Sequence, residues 1–101
     1  DIGPVVLRDR EILSQDGFVL VVTHLNKKTG QIIGRPQIIT RGFVFVKENM
    51  DLIDRAEEEV MAALRQNGHQ DPQITIRKTV AELLYHETQR QPMVMPVVIE
   101  D

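Results

Sequence analysis

Met93-Val94-Met95-Pro96-Val97-Val98-Ile99-Glu100 is too apolar and too β-branched to be a solvated tail, and Pro92 ends any helix approaching it. It reads as a strand, and a strand needs a sheet to join. One is available upstream. Phe18-Val19-Leu20-Val21-Val22-Thr23-His24-Leu25 is β-branched and aromatic and runs into the polar loop Asn26-Lys27-Lys28-Thr29-Gly30, after which Gln31 to Ile39 returns as a second strand. Gly34 and Pro36 mark an edge or a bulge there, since proline donates no ladder hydrogen bond. Thr40-Arg41-Gly42 breaks the run. Phe43-Val44-Phe45-Val46 then alternates aromatics with valines at the period of a further strand.

Two helices are predicted between these strands and the C-terminal one. The first runs from about Met50 to Gln66, with Asn49 as N-cap, Asp51 and Asp54 near the positive end of the helix dipole, and Asn67-Gly68 as its stop. Its apolar stripe is Ile53, Ala56, Val60, Ala63 and Leu64, and Asp51/Arg55 and Arg55/Glu59 form i,i+4 pairs on the wet side. The second opens at Asp71-Pro72 and carries Ile76, Val80, Leu83 and Leu84 at helical spacing through about Thr88. The fold class that follows is α+β: a small β-sheet of hairpin strands plus the C-terminal strand, covered on one face by two α-helices. Ahead of it, Gly3-Pro4 resists helix, Val5-Val6-Leu7 suits a short strand, and Arg8 to Leu13 suits a short helix ended by Asp16-Gly17.

With 101 residues, 42% of them hydrophobic and 27% charged, the chain fits one globular domain with a modest core, small enough to gain from a partner. The absence of cysteine excludes a disulfide framework and thiolate metal sites. Phe18 to Val22 is the longest uninterrupted apolar run, far short of the ~20 residues of a membrane span. Formal net charge is −3, with acidic residues concentrated between Glu48 and Glu59, whereas nucleic-acid modules usually carry a basic excess. The chain begins Asp1-Ile2-Gly3-Pro4 without an initiator methionine, which reads as a segment of a longer protein.

No catalytic constellation is legible. His24, His69 and His86 lack the spacing that converges two ligands on a metal. Glu57-Glu58-Glu59 are consecutive on a helix, so they diverge and read as a solvated acidic face. Ser14 has no nucleophile-elbow context, and no Gly-rich phosphate loop appears. Two sets of residues remain as candidates for binding. Met93, Met95, Val97 and Ile99 suit either core packing or an oligomer interface. Arg41, Lys47, Arg77 and Arg90, with Arg8, Arg10 and Lys78, are candidate phosphate contacts, and Phe43 and Phe45 are the neighbouring aromatics for base stacking, although such a pair is more often core.

Taken in order, Val6-Leu7-Arg8-Asp9-Arg10, Leu13-Ser14-Gln15-Asp16-Gly17, Ile39-Thr40-Arg41-Gly42-Phe43-Val44-Phe45-Val46, and Leu84-Tyr85-His86-Glu87-Thr88-Gln89-Arg90-Gln91-Pro92-Met93-Val94-Met95-Pro96-Val97-Val98 resemble the C-terminal region of bacterial ribonuclease J. The match is spread over nearly the whole chain and is specific in combination. The resemblance implies a parent enzyme of the metallo-β-lactamase class with an inserted β-CASP domain, a zinc-dependent 5′-to-3′ exonuclease and endonuclease acting on RNA, cytoplasmic and working as a dimer or tetramer. The family's metal ligands lie in motifs that precede this region, so no catalytic or metal residue is carried over and no cofactor is expected in this segment. Asp1 to about Gln15 would be the linker leaving the catalytic core, and residues 16–101 the accessory α+β domain. Two departures, His86-Glu87-Thr88-Gln89 and Gln91, stand where the family is usually more basic.

The leading expectation is a non-catalytic domain that supports oligomer assembly and the activity of the catalytic body, through its sheet edge and C-terminal strand. The alternative is an RNA-contacting domain that guides substrate with Arg41, Lys47, Arg77 and Arg90.

Overall fold

A computed structural model describes residues 17–42, 51–66 and 70–101. The chain order is β1 (Phe18–Leu25), β2 (Gln37–Arg41), α1 (Leu52–Gln66), α2 (Pro72–Thr88) and β3 (Met93–Glu100). The strands form a mixed sheet in the order β2-β1-β3, with β2 antiparallel and β3 parallel to the central β1. This is the α+β fold that the sequence predicts, with the C-terminal segment joining the hairpin's sheet and both helices packed against it.

The hairpin loop is closed by its own side chains. Asn26 Oδ1 accepts from the backbone N–H of Lys28 at 2.8 Å and of Thr29 at 3.0 Å, and the Gly30 N–H donates to the Asn26 carbonyl at 2.7 Å. Gly30 holds φ 75°, which glycine adopts without a Cβ clash. Beyond the loop the second strand differs from expectation. Ile32 bridges Leu25, yet ladder pairing resumes only at Gln37 opposite Val22. The chain takes five steps from Ile32 to Gln37 while β1 moves three, and the surplus falls on the irregularity expected at Gly34 and Pro36. Pairing continues through Thr40 and Arg41, so these two residues extend the strand instead of breaking it.

α2 matches its sequence signals closely. Asp71 is its N-cap, accepting from the Gln73 N–H at 2.9 Å, and Pro72 sits in the first turn, where a missing N–H costs nothing. At the far end Gln89 takes the left-handed conformation, φ 62°, and its N–H donates to the Tyr85 carbonyl at 2.8 Å. The predicted Ile76, Val80, Leu83 and Leu84 are all buried. In α1 the buried line is Leu52, Ala56 and Val60, with Ile53 and Ala63 only half-buried, so the stripe is rotated by one residue at its start.

The core lies between the helices and one face of the sheet. Val19 and Val21 of β1 and Val94 of β3 meet Leu52, Ala56 and Val60 of α1 and Ile76, Val80 and Leu84 of α2. Burial of each Val, Leu or Ile stabilises by roughly 1.5–3 kcal/mol relative to exposure. Ile38 and Val98 complete the layer at its margins. The predicted linker, the N-terminal strand and helix, the Phe43–Val46 strand, the Asn49 cap and the Asn67-Gly68 stop lie outside the described residues.

Candidate functional site

Strand parity divides the sheet into two unlike faces. Val19, Val21, Thr23 and Leu25 of β1 point to the helices and are buried, so Phe18, Leu20, Val22 and His24 point away. Each has a β3 residue beside it on the same face: Phe18 with Met93, Leu20 with Met95, Val22 with Val97 and His24 with Ile99. On the other flank β2 sets Arg41, Ile39 and Gln37 against Phe18, Leu20 and Val22. The side of the sheet turned from the helices is therefore apolar at its centre. Met95 is 39% exposed and Ile99 38%, and the remaining apolar side chains of that face are half-buried.

All four candidate interface residues, Met93, Met95, Val97 and Ile99, share this outer face, and none belongs to the helix-covered core. Phe18, Leu20, Val22 and Ile39 extend it and are not among the residues that sequence reasoning singles out. The signal for them was present: β1 is apolar at consecutive positions, which reads as a strand covered on both faces. Polar groups border the patch along the β2 flank and at one end. Arg41 and Gln37 border it on β2, and His24 Nδ1 lies 3.4 Å from Asp101 Oδ2 at one end.

Of the described cationic candidates, Arg77 stands apart from Arg41 and Arg90. Arg41 ends β2, level with Phe18, and its Nη1 donates to the Thr40 carbonyl at 2.8 Å. Arg90 follows α2, at the same end of the sheet. Arg77 is exposed in the second turn of α2, roughly 17 Å of helix rise from the far terminus. Lys47, like Phe43 and Phe45, lies outside the described residues.

Charge is instead organised at the helix–helix seam. Asp51 and Glu59, one helical turn from Arg55 on either side, favour its charged form as expected, but neither is its ion-pair contact. Arg55 Nη2 reaches across to α2 and donates to Glu87 Oε2 at 3.2 Å, and His86 Nδ1 is 3.2 Å from the same oxygen. The Arg55 hydrogen bond, then that of His86, then the charge of Arg55 hold the Glu87 carboxyl below the usual carboxylate range, while Glu87 raises Arg55. A shallow cleft of about 380 Å³ opens over this seam, lined by Arg55, Glu59, Thr79, Glu82, Leu83, His86 and Glu87. A second pair, Arg35 Nη2 to Glu57 Oε1 at 2.9 Å, ties the β1–β2 connection to α1.

Among the described residues no three His, Asp or Glu side chains are placed to hold a metal ion. No chemical step is assigned through the zinc that the family resemblance implies for the parent. No described helix is long and apolar enough to cross a membrane.

The model of the ribonuclease J C-terminal domain family matches residues 5–101. The chain belongs to this family. As a ribonuclease J C-terminal domain it is 39% identical over 106 residues to Ribonuclease J2 of Bacillus subtilis (strain 168), a match covering 99% of this chain and 19% of that relative. Ribonuclease J 2 of Staphylococcus aureus (strain NCTC 8325 / PS 47) is 38% identical over 107 residues, with the same coverage. This ribonuclease J C-terminal domain thus spans 19% of the length of these curated relatives, and the bulk of each lies outside the matched region.

Proposed function

We propose that this domain is a non-catalytic part of a ribonuclease J-like RNA-processing and RNA-decay enzyme, where it supports oligomer assembly and so the activity of the catalytic body. The parent in this reading is a cytoplasmic, zinc-dependent 5′-to-3′ exonuclease and endonuclease whose metal is held elsewhere in the chain. The observation that carries the assembly role is the apolar outer face of the sheet. Burying such a face removes half-exposed Met, Val, Ile, Leu and Phe side chains from water, and exposed apolar patches with polar rims mark association surfaces. The alternative, that the domain guides RNA, draws on a chain of net charge −3, whereas nucleic-acid modules usually carry a basic excess.

Sedimentation of the chain from micromolar to millimolar concentration, with and without a short 5′-phosphorylated RNA, separates the two. The expected result is a sedimentation coefficient that rises with concentration and does not respond to RNA. A monomer that co-sediments with the RNA, with affinity falling steeply as salt rises, would overturn the assembly role and favour substrate guidance.

A further inference from the structure

We infer that the outward side of α2 docks an amphipathic helix of a partner protein, one that carries lysine or arginine beside its apolar stripe. A surface helix ordinarily turns apolar residues to the core and polar ones to water. α2 is apolar on both sides. Ile76, Val80, Leu83 and Leu84 are buried, while Ile74, Lys78, Ala81 and Tyr85 recur at helical spacing on the opposite side. Ile74 is 58% exposed and Tyr85 46%, the two highest values among the large hydrophobic side chains described, above Met95 and Ile99 on the sheet. Roughly 16 Å of helix rise separates Ile74 from Tyr85, enough to seat three turns of another helix.

Charge decides what that helix must carry. Three shallow hollows flank the stripe: one of about 260 Å³ beside Ile74 and Lys78, one of about 310 Å³ beside Ala81, Tyr85 and Pro92, and the cleft over the helix–helix seam. Glu82 lines all three, so they form one depression with a carboxylate at its middle. Glu59 of α1 lines the seam cleft with it. In that cleft Glu87 is matched by Arg55 and His86, whereas Glu59, Glu82 and Lys78 make no ion pair among the described residues. The occupant that fits is apolar where it meets Ile74, Ala81 and Tyr85, and cationic where it meets Glu59 and Glu82. A helix resting in the groove between α1 and α2 meets both conditions by ordinary ridge-into-groove packing. Nucleic acid or an anionic membrane would set phosphates against the two carboxylates. A contact of three turns falls below the ~1,200 Å² of stable complexes, in the range of transient ones, so the complex forms and parts readily. The helices cover the other face of the sheet, so this surface lies apart from its outer face and its use does not depend on assembly.

The probe is a synthetic helical peptide with leucines at i, i+4, i+7 and i+11 and lysines flanking them, beside a scrambled peptide of the same composition and a twin with glutamate for lysine. Fluorescence anisotropy of each labelled peptide is followed as the 101-residue chain is added. The expected result is saturable micromolar binding of the lysine peptide, at least about tenfold weaker for Tyr85→Ala and for Glu82→Lys, both changes at exposed positions that the fold tolerates. Asp54→Lys alters the net charge as much as Glu82→Lys but lies outside the depression, and should leave the affinity within about twofold. The scrambled and glutamate peptides should bind at least about tenfold more weakly. Equal binding of the scrambled peptide, indifference to Tyr85→Ala, or no binding at millimolar chain would overturn the docking site. Self-association that Tyr85→Ala abolishes would make a second copy the occupant and overturn the partner helix. A full-length ribonuclease J-like parent that fails to bind the peptide its isolated domain binds would overturn it as well, by placing the rest of that chain on α2.

Discussion

Thr23 points from the centre of β1 into the helix-covered core with 0% exposure, and its Oγ1 has no hydrogen-bond partner among the described residues. A buried hydroxyl without a partner loses its hydration and gains nothing in return. Thr23→Val keeps the shape and removes the orphan oxygen, so the chain should become more stable by about 1 kcal/mol, read as a higher midpoint in chemical denaturation. Glu87 is the second residue with a measurable signature. Its carboxyl titrates below the usual range because Arg55 and His86 hold the charged form, so its contribution to stability is complete above the unfolded carboxylate range, near about pH 4.3, and is lost as pH falls through the lower folded value. Glu87→Gln should lower the melting temperature slightly near neutrality and flatten its decline between about pH 5 and 3, with the difference shrinking in high salt. Melting curves of both proteins across that range check it. The Arg55–Glu87 pair shows where residue-level reading runs out. Asp51 and Glu59 are the partners one helical turn away, whereas Glu87 is 32 positions distant and comes close only once the helices pack.

At the scale of elements, helices were the more legible because their signals are local. Asp71-Pro72 marks a start through a cap and a missing donor, and the recurrence of Ile76, Val80, Leu83 and Leu84 names the buried face, all within one segment. Asp71→Ala should cost about 1 kcal/mol, the usual worth of an N-cap, with a matching loss of the Gln73 amide's exchange protection. The second strand was less legible. Its start depends on where the ladder resumes across from Val22, which is a property of the pair β1–β2 and not of Gln31 to Ile39 alone. The choice of Leu52 over Ile53 for the α1 stripe is similar, since both suit the helical period and only contact with the sheet selects one.

For the whole molecule, the α+β class followed from one judgement, that Met93 to Ile99 could not be left in water. What the alternation could not say is which side of that strand the helices would take. Val94 went to the core while Met93, Met95, Val97 and Ile99 went outward, a decision made by the parallel register with β1. That register also sets how the chain must fold. Every rung between β1 and β3 joins residues 75 positions apart, from Phe18 with Met93 to Leu25 with Glu100. Loop closure over such a span is entropically costly, and non-local strand pairing slows folding. β1, the central strand, must therefore wait with one flank unpaired until both helices have turned the chain back. During that interval its continuous apolar run is open to other chains, so the vulnerable species in refolding is an intermediate lacking β3, and yield should fall as refolding concentration rises.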